Sequence, residues 1–145
     1  MDPAFWHVGL TVSDIKRSAA FYRDIVGMQE GAHQNSTNDA FGRLVNNPGA
    51  SLASVFLSLD GFTLQLLQYF TQGGVRLAGA HNNIGSPHLS FFVPDAGEKY
   101  TALAARGDVE LTSPIVMNHA GTIRSFYAVD PDGVPVEFVE RLVKA

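Results

Sequence analysis

Apolar residues fall into two alternating patterns along this chain, strand-like and helix-like, and the order of the two recurs. Phe5 to Val12 is dominated by β-branched and aromatic residues and predicts a strand. Ser13 or Asp14 is placed to cap a helix in which Ile15, Ala19, Tyr22 and Val26 recur at near-helical spacing, and Gly27 is the expected stop. A short strand near Met28 to Ala32 and a polar loop from Asn35 to Asn47 come next. Strands over about Ala53 to Leu59 and Phe62 to Gln68 flank Asp60-Gly61, a hairpin signature. Tyr69 to Pro87 is rich in Gly and Asn, lacks periodicity and reads as a connector. The order then repeats: a strand over 88–93, a helix over 96–106, a strand near 109–112, a loop through His119, and strands over 123–129 and 134–140. Asp130-Pro131-Asp132-Gly133 forms the closing turn.

The repetition extends to individual residues. His7 precedes Asp14 by the same interval that His88 precedes Asp95, and each Asp opens a helical stretch that ends at a glycine, Gly27 or Gly107. Asp60-Gly61-Phe62-Thr63-Leu64-Gln65-Leu66-Leu67 matches Asp132-Gly133-Val134-Pro135-Val136-Glu137-Phe138-Val139, setting Gln65 opposite Glu137. The offset is 81 residues for the histidines and 72 for the Gln/Glu pair. Self-similarity at a fixed period marks a duplicated structural unit. The expected fold is α+β: two side-by-side βαβββ modules, about 4–70 and 87–142, joined by a connector over about 71–86 within a single domain. Neither module is large enough to bury a core alone, so their sheets are expected to join into a cupped, mostly antiparallel sheet. Helices would cover its outside, and the inner faces would curve around a shared cavity. Strand alternation places Glu137 and Val139 on one face and Val136 and Phe138 on the other. If the larger apolar residues meet the helix, Glu137 faces the cavity, and the same parity turns Gln65 inward.

Composition narrows the partners. The 145 residues are 46% hydrophobic and 17% charged, as in an ordinary globular domain. A net charge of −4 with no basic run argues against nucleic acid or an anionic membrane and for a small-molecule partner. No cysteine is present, so disulfides and thiolate metal sites are excluded. No apolar run has transmembrane length, and the acidic N-terminus entering a strand predicts no secretory signal; the expected location is cytoplasmic.

A histidine on a strand is ordinarily a hydrogen-bonded core residue. Two histidines at equivalent repeat positions, each paired with a distant inward oxygen donor, point instead to one divalent metal held by His7, Gln65, His88 and Glu137. A carboxylate amid Val136, Phe138 and Val139 is costly to bury unpaired, which gives Glu137 the firmest claim. Two nitrogen and two oxygen donors suit Zn, Ni, Co, Mn or Fe(II).

The stretches HVGLTVSDIKRSAAFYRDIVGM, PHLSFFVPD and SFYAVDPDGVPVEFVE resemble the vicinal oxygen chelate superfamily, over nearly the whole chain. That superfamily includes glyoxalases, methylmalonyl-CoA epimerases, extradiol dioxygenases, fosfomycin-resistance enzymes and bleomycin-binding proteins. The resemblance places the four metal ligands on the same His7, Gln65, His88 and Glu137, in an order most like that of methylmalonyl-CoA epimerase. It implies an isomerase or lyase that abstracts a proton from a small carbonyl or carboxyl compound through a metal-stabilised enolate. Glu137, displaced from the metal, would be the base.

The chain departs from the epimerase pattern on its third strand, Ala53-Ser54-Val55-Phe56-Leu57-Ser58, which has no second carboxylate; Ser54 lies near the matching place. Glu30 or a loop histidine is left to supply a second acid or base. His33, His81 and His119 are ordinary solvated side chains unless one closes over the cavity. His119, Arg124 and Tyr127 are the candidate substrate-binding residues, with a surface ion pair the alternative for Arg124. The ten Lys and Arg residues are scattered, which favours a smaller or less charged substrate than coenzyme A or glutathione. Alternatives from other classes are an extradiol-type Fe(II) dioxygenase and a metal-free, antibiotic-sequestering binding protein. A homodimer is expected.

Overall fold

Most of the strands, and the helices that follow Asp14 and Asp95, form where the alternating and helical patterns place them. The computed structural model describes residues 2–77 and 80–142. The chain divides into two units, Met1–Arg76 and Leu77–Ala145, with the border inside the predicted connector. Residues 78 and 79 of that connector lie outside the described residues. The fold is mixed α+β with two sheets of mostly antiparallel strands.

The first unit begins with β1 (Val8–Thr11) and α1 (Ile15–Phe21). Asp14 caps α1, its carboxylate accepting the backbone N–H of Lys16 and Arg17 at 3.0 Å each. Past Phe21 the backbone widens into one π-type turn, Tyr22–Val26, and stops at Gly27, whose φ of 92° costs a residue without Cβ nothing. The rest of the unit is β2 (Gln29–Glu30), β3 (Gln34–Ser36), α2 (Asp39–Leu44), β4 (Leu52–Leu59) and β5 (Phe62–Tyr69). The predicted polar loop from Asn35 to Asn47 therefore holds a strand and a short helix. Asn38 starts that helix by accepting the Phe41 N–H at 2.8 Å, a local cap that hydrophobic periodicity does not register. Asp60 and Gly61 both have positive φ, 47° and 79°, as a tight two-residue hairpin requires. The strand order is β1-β5-β4-β2, with β3 also on β4; β1 runs parallel to β5 and the other pairs are antiparallel.

The second unit comprises β6 (Leu89–Phe92), α3 (Ala96–Arg106), β7 (Val116–Met117), β8 (Ile123–Val129) and β9 (Pro135–Arg141). Its strand order, β6-β9-β8-β7, repeats that of the first unit, again with only the first strand parallel to the last. The strand expected near 109–112 reduces to one bridge, Leu111 to Ala128. The paired strand forms later, at β7, because only there does the chain run alongside Ser125 and Arg124.

In each unit one face of the sheet is packed and the other is open. Leu10, Val55, Leu57, Leu64 and Leu66 are buried with Ile15, Ala19 and Tyr22. In the second unit Leu89, Phe126, Ala128, Val136 and Phe138 are buried with Ala96 and Leu103. Each leucine, isoleucine, valine or phenylalanine among them contributes about 1.5–3 kcal/mol when fully buried. A matching hydrogen bond ties each helix to its sheet. Gln68 Oε1 accepts the Ile15 N–H at 2.9 Å, and Glu140 Oε2 accepts the Ala96 N–H at 2.7 Å.

Candidate functional site

The open faces carry the candidate donors, and the two registers coincide. On the first sheet Gly9 pairs with Gln65 and Gln65 with Phe56. On the second, Ser90 pairs with Glu137 and Glu137 with Tyr127. Paired residues share a face, and Leu64, Leu66, Val136 and Phe138 take the opposite one. Gln65 and Glu137 therefore lie on the open faces, as the parity of the sequence predicts. His7 and His88 each stand two residues before Gly9 and Ser90, on the same faces. The His7 ring meets Phe56 edge-on at 5.5 Å between centroids, and His88 meets Tyr127 at 6.1 Å. Each unit thus sets one imidazole beside one oxygen donor, across an aromatic ring.

These donors are mostly unspent. Nδ1 of His7 is buried and has no hydrogen-bond partner. Among the described residues the side chains of Gln65 and His88 make no hydrogen bond. Glu137 engages one oxygen only, its Oε2 accepting the Ser90 hydroxyl at 2.8 Å. Two imidazoles, an amide oxygen and a carboxylate with a free oxygen are a donor set that fits an intermediate divalent cation. Among the described residues no group of three or more His, Cys, Asp or Glu gathers to hold a metal ion.

Tyr127 extends the half-site of the second unit. Burial, aided by the negative charge of Glu137, pushes its phenol pKa upward, so the phenol keeps its proton at neutral pH. His81, from the connector, joins the same group. Its ring lies 5.1 Å from His88 and 5.1 Å from Tyr127.

Arg124 and His119 are not brought to this group. Arg124 shares the parity of Phe126 and Ala128 and faces α3. There it donates to Glu140 Oε2 through Nε and to Asp95 Oδ1 through Nη2, the latter at 3.1 Å. The ion-pair alternative describes its position, and its expected contact with substrate has no support there. The Arg124 hydrogen bond and the Ala96 N–H hold the Glu140 carboxyl below its usual range. His119 sits exposed in the turn between β7 and β8, before Ile123, whereas Tyr127 and Glu137 lie toward the other end of β8. Glu30, the possible second base, pairs with Leu57 on the packed side and bonds His33 at 2.7 Å and Arg23 at 2.6 Å. The His33 hydrogen bond leads in lowering its pKa. Ser54 is buried on the open-face parity, opposite Leu67.

Phe56, Ser90 and Glu140 were not singled out as functional in the sequence, and His81 was expected only as a solvated loop side chain unless it closed over the cavity. Glu140 had a local signal: it follows the matched segment by one residue and repeats Gln68 at the offset of the Gln65/Glu137 pair. For His81, carried by an aperiodic connector, no local signal exists.

The family model for the glyoxalase/bleomycin resistance protein/dioxygenase superfamily matches residues 4–138. The chain belongs to this superfamily. No curated protein matches it. Among solved structures, a glyoxalase family protein from Bacillus cereus has a TM-score of 0.83 at 18% identity, over 94% of this chain and 93% of that one. The fosfomycin resistance protein FosX from Listeria monocytogenes, complexed with Mn(II) and sulfate, has a TM-score of 0.65 at 21% identity, over 99% and 96%. The trypanothione-dependent glyoxalase I of Leishmania major has a TM-score of 0.66 at 20% identity, over 96% and 87%. At these identities the likeness establishes the superfamily fold and leaves the reaction open. Among the described residues no helix is long and apolar enough to cross a membrane.

Proposed function

We propose that this superfamily member is a divalent-metal-dependent isomerase or lyase that moves a proton beside a carbonyl or carboxyl group of a small substrate. The observation that carries the reading is the duplicated register: His7 with Gln65 and His88 with Glu137 occupy equivalent open-face positions, and their donor atoms are largely unspent.

A bound divalent ion supplies Lewis acidity, polarising the substrate carbonyl and acidifying the neighbouring C–H. His7, Gln65, His88 and Glu137 would hold it, through two ring nitrogens, an amide oxygen and a carboxylate oxygen. Glu137 has two roles, separated by its oxygens. Ser90 fixes Oε2 and with it the carboxylate plane, while Oε1 is free to take up the substrate proton. Tyr127, kept as the phenol, donates a hydrogen bond to the substrate oxygen on which negative charge accumulates.

Elemental analysis of protein purified without added metal tests this directly. One divalent ion per full donor set is expected. His88→Ala should lose it while the far-ultraviolet circular dichroism is unchanged; full occupancy in that variant would remove His88, and with it the four-donor reading.

A further inference from the structure

The aromatic rings beside the two histidines repeat in a way the donor set does not require. In the first unit Trp6 meets the His7 ring edge-on at 4.4 Å and stacks on Phe56 at 6.0 Å, with 19° between the planes. With the His7–Phe56 contact this closes a triangle of three rings. In the second unit His81, His88 and Tyr127 close an equivalent triangle. The third ring comes from unrelated places in the chain, the residue before His7 in one unit and the connector in the other. A shared packing need of the duplicated fold would draw it from the same place.

Trp6 is also 71% exposed, and Phe5 beside it 72% exposed. An indole contributes little to a core from that position. Phe56 and His7 fix its orientation, and most of its surface is left for something else to cover. Contiguous exposed aromatic surface rimmed by polar groups marks an interaction surface, ligand-binding grooves included.

We infer that Trp6, stacked on Phe56, is a specificity-determining platform for an aromatic or other planar apolar group on the substrate, adjoining the His7/Gln65 half-site. The inference rests on the proposed function only for where the reacting end of the substrate lies. An oriented indole face gains from offset stacking with a planar group and gains far less from a short aliphatic chain. Few basic residues and a net charge of −4 agree with a substrate held by stacking more than by a charged handle.

Phenylpyruvate and pyruvate serve as probes, since both carry the same keto-acid head and differ in the ring. Trp6 is the one tryptophan of the chain, so intrinsic fluorescence reports this position alone. Phenylpyruvate should quench it and pyruvate should not, and calorimetry should show tighter binding of phenylpyruvate. Trp6→Ala should cut that preference roughly two- to tenfold, and Trp6→Phe should keep most of it. Trp6 is exposed, so both variants should keep the wild-type circular dichroism. Equal binding of the two acids, or a preference untouched in Trp6→Ala, would overturn the platform. So would a Trp6 emission already shielded from iodide as protein concentration rises, which would assign the ring to a contact with a second copy. Solvent-deuterium exchange beside the keto group, followed in parallel, judges the proton-transfer reading separately. Its absence would leave the ring preference standing.

Discussion

The two units share a strand order, a register and a histidine at the same place, yet differ in polarity at the positions beside it. Gly9, Phe56 and Gln65 stand in register in the first; Ser90, Tyr127 and Glu137 take the same places in the second. On the packed faces Ala53 pairs with Gln68 in one unit, and Arg124 pairs with Glu140 in the other. The first unit uses amides and apolar rings where the second uses carboxylates, hydroxyls and a guanidinium. The packed-face substitution shows that the backbone tolerates either chemistry, because an amide oxygen and a carboxylate make the same bond to the helix N-terminus. On the function proposed above, the open-face difference divides labour: one unit offers an amide oxygen beside its histidine, the other a carboxylate able to take a proton.

Making the second unit more like the first should erase that division, and the largest effect is expected at Glu137. Glu137→Gln should still bind metal through the amide oxygen, while solvent-deuterium exchange into carbonyl substrates, read by mass spectrometry, falls roughly 100- to 10,000-fold. Adding Gln65→Glu to that variant should not restore exchange, because Gly9 and Phe56 offer that carboxylate neither hydroxyl. Restoration would show the units to be interchangeable and break the comparison.

The packed face gives the next effect. Glu140→Ala strands the Ala96 N–H and leaves Arg124 with Asp95 alone, so the thermal midpoint should fall by several degrees. Glu140→Gln copies the first unit and should fall less, since only the charge component is lost. Equal losses would mean that the amide of Gln68 is no guide to this position.

Acid should affect the same tie. The folded pKa of Glu140 is depressed below the usual 4.5, chiefly by its Arg124 hydrogen bond. Its contribution is therefore fully present above pH 4.5 and is lost as pH falls through the folded value. Stability curves of the wild type and Glu140→Gln, measured by urea unfolding across that range, should converge on acidification. A constant gap would place the difference in packing. The smallest effect is expected for Ser90→Gly, which removes one hydrogen bond from Glu137 Oε2 and reproduces Gly9. Metal should remain, and exchange should slow less than about tenfold, as suits one oriented hydrogen bond to a charged group.

Much of the scaffold was legible along the chain because it depends on neighbours in sequence. Asp14 and Asp95 cap helices through amides two or three residues on, and Asp60-Gly61 closes a hairpin within its own four residues. The period of two in a strand assigned Gln65 and Glu137 to the face opposite Leu64, Leu66, Val136 and Phe138 before any contact was known. Arg124 could have been read by the same parity, since it alternates in step with Phe126 and Ala128.

What the sequence determined alone is the duplicated βαβββ pattern and the face of each strand residue, since periodicity and local capping act over a few residues. Tertiary structure decided which polar groups are spent and which remain free. Glu140 is consumed by Ala96 and Arg124, Glu30 by Arg23 and His33, whereas Glu137 keeps one oxygen. It also brought His81 onto His88 and Tyr127, and placed Trp6 over Phe56. Hydrogen bonds and ring contacts between residues far apart in the chain depend on side-chain direction and distance, which no repeat in the sequence encodes.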